Sequence, residues 1–352
     1  MLAVSRRLAL LALVAMALFG IAACGDDDDS SSSSGSATTQ EQPAGKKIKV
    51  GLVTDIGGLN DRSFNALANK GLQQGKSELG VDVRVITSKS NADYVPNLST
   101  LAQQKYDLVI GVGFLMAEAT ETVANKFPNT KFAIIDVSQQ GMKTKPKNVQ
   151  GLLFKENEAG YLAGYLAGLY AKDNNINTVS TVGGQKIPPV DHYIAGFQAG
   201  AKAANSSIKT LNGYSQDFVD QAKCKELALS QIARGSGVVF QVAGQCGLGA
   251  LDAAKQEGKQ GIGVDADQAY LGSHVLTSAT KKVDVAVFDS IKDAQADQFK
   301  AGTDRIFDVK TDGVGIGKIS SAGAKYQADV DKIKAQIASG ELTDIPDTVG
   351  GK

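Results

Sequence analysis

The chain has 352 residues, with 37 basic and 37 acidic side chains and therefore no formal net charge at neutral pH. This balance gives no support to nucleic acid or an anionic membrane surface as the partner, since both attract basic proteins. Hydrophobic residues make up 43% of the chain and charged residues 21%. From Lys46 to Lys352 the chain is long enough for two globular domains of about 150 residues each.

The N-terminal segment has the pattern of an export signal. An apolar run from Leu8 to Cys24 follows two arginines, and it is shorter than the roughly 20 apolar residues of a membrane-spanning helix. The sequence Ile21-Ala-Ala-Cys24, with small residues before the cysteine, resembles the bacterial lipobox. This resemblance implies that residues 1–23 are a cleaved lipoprotein signal peptide and that Cys24 carries the lipid. We therefore expect a lipid-anchored protein on the extracytoplasmic face of the cell membrane; an uncleaved signal anchor is the alternative.

Residues 24–45 are predicted to be a disordered tether. After Cys24 the segment consists mainly of Asp, Ser, Thr, Gln, Gly and Pro without an apolar period, so it cannot bury enough surface to offset the loss of chain entropy on folding. The acidic run from Asp26 to Asp29 lacks the histidine or glycine turn of a metal site. We interpret it as a solvated charge run and predict no metal site.

Two cysteines remain in the folded part of the chain, Cys224 and Cys246. In an extracytoplasmic compartment disulfides persist, so we predict that the two residues pair as a structural bridge. No Cys-x-x-Cys motif indicates a redox site. Two buried free thiols are the alternative, because bridging requires Cα atoms within about 7 Å.

From residue 46 onward, short β-branched runs alternate with helical patterns, which is typical of βαβ units and a parallel sheet. The alternation occurs twice, before and after a predicted helix at residues 156–171 whose small-residue stripe suits close packing. The fold class is therefore α/β, with two doubly wound parallel-sheet domains. Strands are predicted near residues 48–54, 81–87, 108–111, 131–135, 149–154, 178–182, 208–214, 237–242 and 261–264, and further helices near 189–204, 217–234 and 248–257.

The domain boundaries follow from this alternation. Domain 1 is predicted to contain residues 46–154 plus 282–305, and domain 2 residues 155–281 plus 306–352. Residues 274–280 are predicted to be an extended link, and residues 283–300 an amphipathic helix.

One segment predicts a ligand crevice. In Val53-Thr-Asp-Ile-Gly-Gly-Leu-Asn-Asp-Arg-Ser-Phe-Asn65, a strand leads into a glycine turn and then a helix that carries polar groups and one aromatic ring. Open α/β sheets bind ligands at this carboxyl edge of their strands.

Six sequence blocks from about Ile48 to the C-terminal region occur together in a fixed order. They are residues 53–65, Gly111-Val-Gly-Phe-Leu-Met116, Phe132-Ala-Ile-Ile-Asp136, Gly160-Tyr-Leu-Ala-Gly164, Ile262-Gly-Val-Asp-Ala-Asp-Gln268 and Val275-Leu-Thr-Ser-Ala-Thr-Lys281. These blocks resemble the basic membrane protein (PnrA-like) family, whose members are lipid-anchored substrate-binding proteins of ABC importers and include purine nucleoside receptors. The resemblance implies the type I periplasmic-binding-protein fold, in which a multi-strand hinge joins two domains that close on the ligand. It also implies an ABC permease and ATPase as partners.

The resemblance also implies roles in binding a purine nucleoside. Phe64 matches the aromatic residue that stacks on the base, and Asp55 the carboxylate that accepts hydrogen bonds from its edge. Asp265 matches the acceptor for the ribose hydroxyls, and Lys281 a donor to the sugar. By its spacing we predict that Phe218 forms the opposing aromatic face. Gly244 is predicted to let backbone amides approach the ligand.

Simpler roles remain open for each of these residues. The two phenylalanines could belong to the core, Asp55 and Asp61 could cap the following helix, and Asp265 and Asp267 could form a turn. Lys281 could be a surface charge. We assign Asp55 to the ligand and Asp61 to a cap or hinge contact.

Other function classes are disfavoured. A nucleoside hydrolase would need a cluster of aspartates after the first strand, where only Asp55 and Asp61 occur, and no nucleophile motif is present. We therefore predict no catalytic residues, no cofactor and no enzyme activity. The same fold binding a sugar or a nucleobase, or acting as a sensor, remains the alternative function.

Overall fold

The computed structural model describes residues 46–350. The predicted signal peptide, the predicted lipid attachment at Cys24 and the predicted tether lie outside the described residues. Within residues 46–350, no helix is both long enough and apolar enough to cross a membrane.

Two six-stranded sheets organise the structure. The first has the order β11-β5-β4-β3-β1-β2 and is parallel throughout, and the second has the order β12-β10-β9-β8-β6-β7 with only β12 antiparallel. The strands are β1 (Lys49–Val53), β2 (Asp82–Ile86), β3 (Leu108–Gly111), β4 (Lys131–Ile135), β5 (Val149–Phe154), β6 (Thr178–Gly183), β7 (Lys209–Tyr214), β8 (Ser236–Val242), β9 (Gln260–Asp265), β10 (Val275–Lys281), β11 (Thr303–Phe307) and β12 (Val314–Ile316).

Helices pack on both sheets and bury the central strands. Every residue of β3, β6 and β8 is buried, as expected for parallel strands covered on both faces. The α-helices of the described residues are α1 (Phe64–Leu79), α2 (Tyr94–Gln103), α3 (Ala117–Lys126), α4 (Glu156–Asp173), α5 (Pro188–Ala204), α6 (Gln221–Ala233), α7 (Gly244–Gln256), α8 (Val283–Gln295) and α9 (Gln327–Ser339).

We call the first sheet with α1, α2, α3 and α8 lobe 1, and the second sheet with α4 to α7 and α9 lobe 2. The chain passes between the lobes at residue 155, at residue 282 and at residues 308–313. These crossings are hydrogen-bonded to their neighbours: Lys155 N donates to Phe307 O at 2.9 Å, and Lys282 N to Gly313 O at 2.9 Å. The type I periplasmic-binding-protein fold expected from the sequence is therefore present. The domain boundaries drawn from the sequence remain predictions.

The small-residue stripe of α4 packs directly on α5. A methyl group at Gly164 would lie 2.0 Å from Phe197 O, and one at Gly168 would lie 2.5 Å from Ala201 O. Glycine is required at these positions because any side chain would force the two helices apart.

One element differs in kind from the sequence prediction. Residues 274–280 were predicted to be an extended link, but Val275–Lys281 is strand β10, which pairs with β9 on one side and β12 on the other. The prediction was wrong because the antiparallel partner β12 is a short strand far along the chain, and no local pattern indicates it.

Three helix ends also differ. Helix α6 begins at Gln221 rather than 217, because Asp220 caps it by accepting from Ala222 N at 2.9 Å. Helix α7 begins at Gly244, earlier than predicted, and α8 ends at Gln295. Near the end of α8, Asp297 has a left-handed backbone (φ 54°) that a helix cannot continue through.

Candidate functional site

A cavity lies between the lobes where the carboxyl ends of their strands face each other. The volume of this cavity is about 70 Å³. Every ligand-binding residue predicted from the sequence lines this cavity, namely Asp55, Phe64, Phe218, Gly244, Asp265 and Lys281. The remaining lining includes Asp61, Asn65, Gly113, Asp136 and Tyr193.

The lobe 1 face is built by the turn between β1 and α1. Asp55 Oδ1 accepts hydrogen bonds from Gly57 N at 2.8 Å and Asn65 Nδ2 at 2.7 Å, and Asn65 Oδ1 accepts from Asp55 N at 3.2 Å. No residue between 46 and 350 hydrogen-bonds to the second carboxylate oxygen, so this oxygen is available to a ligand. Burial raises the pKa of Asp55 to about 6.

Asp61 caps the helix that carries Phe64. Its carboxylate accepts from Ser63 N at 3.1 Å, Asn65 N at 2.7 Å and Ala66 N at 3.1 Å. The expectation of a cap at Asp61 is confirmed, and these bonds hold the first turn of α1 against the cavity.

Gly113 gives the lobe 1 face its close packing. A methyl group there would lie 3.1 Å from Phe64 Cε1 and 3.4 Å from the free Asp55 oxygen, and its φ of 108° favours glycine. The phenyl ring, the carboxylate and this backbone therefore form one continuous surface.

The lobe 2 face centres on Asp265, at the end of β9. The residue has a left-handed backbone (φ 58°), and its carboxylate accepts from Tyr193 OH at 3.2 Å and from Ser63 Oγ at 2.8 Å. Ser63 belongs to lobe 1, so this bond crosses the cleft. Burial raises the pKa of Asp265.

Asp267, by contrast, does not line the cavity, and its carboxylate stabilises a turn and a distant backbone segment. Its carboxylate accepts from Ala269 N at 3.2 Å and from Lys318 N at 3.1 Å. The turn alternative therefore applies to Asp267, whereas Asp265 points into the cavity.

Phe218 lies on the loop between β7 and α6, residues 215–220. A methyl group at Gly184 would lie 2.3 Å from Phe218 Cε1, and Gly244 has a left-handed φ of 55° beside the Phe218 carbonyl. Cys246 N donates to Phe218 O at 3.0 Å. The ring is thus held between two glycine backbones at the edge of the cavity.

The predicted cysteine pair is a disulfide in the structure, with a Cα–Cα distance of 5.5 Å. Cys224 lies in the first turn of α6 and Cys246 in the first turn of α7. Both side chains are fully buried.

Lys281 is buried, with 2% of the residue exposed, so the surface alternative is wrong. Its Nζ pairs with Asp136 Oδ1 at 2.6 Å and Glu156 Oε1 at 2.8 Å, and lies 5.1 Å from the Phe64 ring centre. Burial lowers the pKa of Lys281, but the two carboxylates outweigh burial and hold that pKa above its usual range. Asp136 ends a lobe 1 strand and Glu156 begins α4 of lobe 2, so Lys281 joins the lobes.

Sequence reasoning gave no role to Asp136, Glu156 and Tyr193. Asp136 could have been found, because it follows β4 as Asp55 follows β1, and its left-handed φ of 67° resembles that of Asp265. Burial raises the pKa of Asp136 to about 7, although Lys281 opposes this shift. Tyr193 and Glu156 lie on helices and carry no local signal of a site.

A family model described as "Bmp: ABC transporter substrate-binding protein PnrA-like" matches residues 48–346. The CD4+ T-cell-stimulating antigen of Listeria monocytogenes is 36% identical over 320 residues, which cover 84% of this chain and 88% of that protein. The ABC transporter nucleoside-binding protein BmpA of Lactococcus lactis is 34% identical, with coverage of 84% and 88%. An uncharacterized lipoprotein of Pyrococcus horikoshii is 36% identical, with coverage of 88% and 77%.

Solved structures of ABC transporter solute-binding proteins are similar to this chain. An ABC transporter solute-binding protein from Aeropyrum pernix has a TM-score of 0.77 at 27% identity, covering 85% of this chain and 94% of that one. A solute-binding protein from Conexibacter woesei has a TM-score of 0.69 at 26% identity, covering 85% and 99%. The family model, the Lactococcus lactis relative and both solved structures are described as substrate-, nucleoside- or solute-binding proteins and not as enzymes. The chain belongs to the Bmp family of PnrA-like ABC transporter substrate-binding proteins.

Proposed function

We propose that this protein captures a purine nucleoside between its lobes and delivers it to an ABC permease and its ATPase. The main support for this proposal is the set of residues that line the cavity, because each lobe contributes a phenylalanine ring and a carboxylate to it. A purine is a flat π-system with polar edges, so aromatic faces with carboxylate acceptors at the rim suit it. The Lactococcus lactis relative is named a nucleoside-binding protein, which supports the same ligand class.

Each lining residue has a proposed role in this complex. Phe64 and Phe218 stack on the two sides of the base, and the free Asp55 oxygen accepts base N–H groups. Asp265 accepts the ribose hydroxyls, Lys281 donates to the sugar, and the Gly244 backbone approaches the ligand closely. Hydrogen bonds to charged groups in a cavity that excludes water are stronger than neutral ones.

Closure follows from the division of these contacts between the lobes. A ligand stabilises the closed form only through contacts that are better in that form, so residues of both lobes must touch one molecule. Asp55 with Phe64 and Asp265 with Phe218 meet this condition. The permease then recognises the closed surface.

The proposed site of action is the extracytoplasmic face of the cell membrane, with a lipid on Cys24 as anchor. The Pyrococcus horikoshii relative is named a lipoprotein, and the apolar leader ends in Ile21-Ala-Ala-Cys24. Labelling cells with a radioactive fatty acid tests the anchor. We expect label on the wild-type protein and none on a Cys24→Ser variant, whereas equal labelling would contradict the anchor.

Calorimetric titration with inosine, guanosine, adenosine, cytidine and ribose tests the ligand. We expect micromolar or tighter binding of purine nucleosides, much weaker binding of ribose, and no free base in the cell afterwards. Ribose binding as tight as inosine binding would replace the proposal with a sugar receptor. An absence of binding across the panel would contradict the nucleoside while leaving the transporter class unchanged.

A further inference from the structure

The disulfide belongs to a buried cluster of lobe 2, at the end of that cluster where Cys246 is hydrogen-bonded to the backbone of Phe218. Cys224 and Cys246 each belong to the first turn of their helix, and both turns start at the cavity edge of the second sheet. Phe218 and Gly244, which line the cavity, lie a few residues before the two cysteines in the sequence.

Direct contacts connect the bridge to the loop that carries the ring. Cys246 N donates to Phe218 O at 3.0 Å, and Cys246 Sγ lies 3.4 Å from Ser215 Oγ at the start of the loop. On its other side the loop is held by Gln216 N, which donates to Gly184 O at 3.0 Å. The backbone of Cys246 thus contacts Phe218, its sulfur contacts the start of the loop, and the bridge ties this turn of α7 to the first turn of α6.

Hydrogen bonds to the Asp217 carboxylate from Val219 N and Asp220 N order one part of the loop, but the residue at its start has an unfavourable backbone. Gln216 has a left-handed backbone (φ 57°), which costs energy for a residue with a side chain. Val219 is 40% exposed, and the loop lies outside the regular sheet and helices. A ring on an unsupported loop would lose conformational entropy when it stacks on a ligand.

We propose that the Cys224–Cys246 disulfide is a positioning device for Phe218, which prepares the lobe 2 aromatic face before ligand arrives. The inference rests on the proposed function for the identity of the ligand. Immobilising one side chain and its loop in advance is worth about 3- to 10-fold in affinity.

The test compares the full chain, purified in detergent, with the double variant Cys224→Ala/Cys246→Ala. Hydrogen exchange of the unliganded proteins gives a readout that needs no ligand. We expect faster exchange at the amides of Gln216 and residue 246 in the double variant. The matched control is Ile232→Ala, which removes buried side-chain volume from the same cluster at the far end of α6. It should lower the melting temperature without changing exchange at those two amides.

Titration with inosine provides the second readout. The double variant should bind about 3- to 10-fold more weakly than wild type, and the Ile232→Ala control should bind as wild type does. In a Phe218→Ala background, removing the bridge should cause no further loss of affinity, because the ring it positions is gone. A bridge that merely stabilised the lobe would give the same loss with and without the ring.

The outcomes separate this inference from the proposed function. Unchanged loop exchange in the double variant overturns the positioning role, whatever the ligand is. Failure of the wild-type protein to bind any nucleoside contradicts the proposed function, and the exchange experiment then still decides the role of the bridge.

Discussion

The two faces of the cavity are built in different ways. Most of the lobe 1 face comes from one segment, residues 55–65, in which Asp55, Asp61 and Asn65 are hydrogen-bonded to one another or to the local backbone. Gly113 and Asp136 complete this face. The lobe 2 face is formed by residues on four separate elements, namely Tyr193, Phe218, Gly244 and Asp265. One face is therefore largely a local motif, and the other exists only when a whole sheet has assembled.

The largest predicted effect concerns Lys281, where both faces meet. Replacing Lys281 by Met leaves Asp136 of lobe 1 and Glu156 of lobe 2 buried without their common cation. Breaking a buried ion pair by removing one partner costs about 3 to 5 kcal/mol of unfolding free energy, which urea denaturation measures. The neighbouring Lys282 is the control, because its pair with Asp312 is exposed and such pairs contribute about 1 kcal/mol or less. Equal losses for the two variants would contradict the structural role of Lys281.

The next effect tests the lobe 2 face. Asp265→Ala should weaken inosine binding by about 2 to 4 kcal/mol, because the ribose hydroxyls lose a charged acceptor in a cavity that excludes water. Asp267→Ala should leave affinity unchanged, since that carboxylate serves a turn. Calorimetry measures both. Unchanged affinity in the Asp265 variant would rule out its proposed contact with the sugar.

A smaller effect compares the two rings directly. Phe64→Ala and Phe218→Ala should each cost about 1 to 3 kcal/mol in binding inosine, the usual value of an aromatic side chain stacked on a base. We expect the larger loss for Phe64, because its ring also packs against Lys281. Phe127→Ala, a half-buried lobe 1 phenylalanine outside the cavity lining, should not change affinity. Equal ribose and inosine affinities in wild type would show that neither ring stacks.

The smallest effect is the pH dependence of the lobe 1 face. Ionised Asp55 accepts a base N–H far more strongly than the neutral acid does, and because its pKa is about 6 it gains a proton as the pH falls from 7 to 5. Affinity for inosine should therefore decrease by about 10-fold between pH 7 and pH 5. The Asp55→Asn variant should bind inosine more weakly at pH 7, and its affinity should change less with pH. The pH dependence that remains should come from Asp136 and Asp265. A wild-type profile that rises toward low pH would contradict an ionised Asp55 at the ligand.

The difference between the faces also explains what the sequence could predict. The turn from Asp55 to Asn65 is a local pattern, so its strand, glycine turn and helix could be inferred from neighbouring residues. Central strands such as β3 and β8 could be predicted as well, because continuous apolar runs of that length suit a buried parallel strand.

The remainder depends on contacts between distant residues. Strand β10 was not recognised because β12, its antiparallel partner, lies beyond α8 and β11 in the sequence. Glu156 was not recognised because its role depends on Lys281, which lies 125 residues later in the chain and reaches it only when α4 packs beside β10 within lobe 2. The members of such pairs are far apart in the sequence, so neither segment shows a local hydrophobic pattern that would indicate its partner.

The pairing of β5 with β11 has a consequence for how the chain is made. Strand β5 ends at Phe154, but its outer neighbour β11 begins only at Thr303, so a nascent chain carries an open sheet edge while residues 155–302 are synthesised. Lobe 2 is likewise incomplete until β12 and α9, near the end of the chain, have been synthesised. Neither lobe can complete its sheet far ahead of the other, so folding one domain at a time during translation does not apply. The two sheets of such a chain stay incomplete until translation is nearly over.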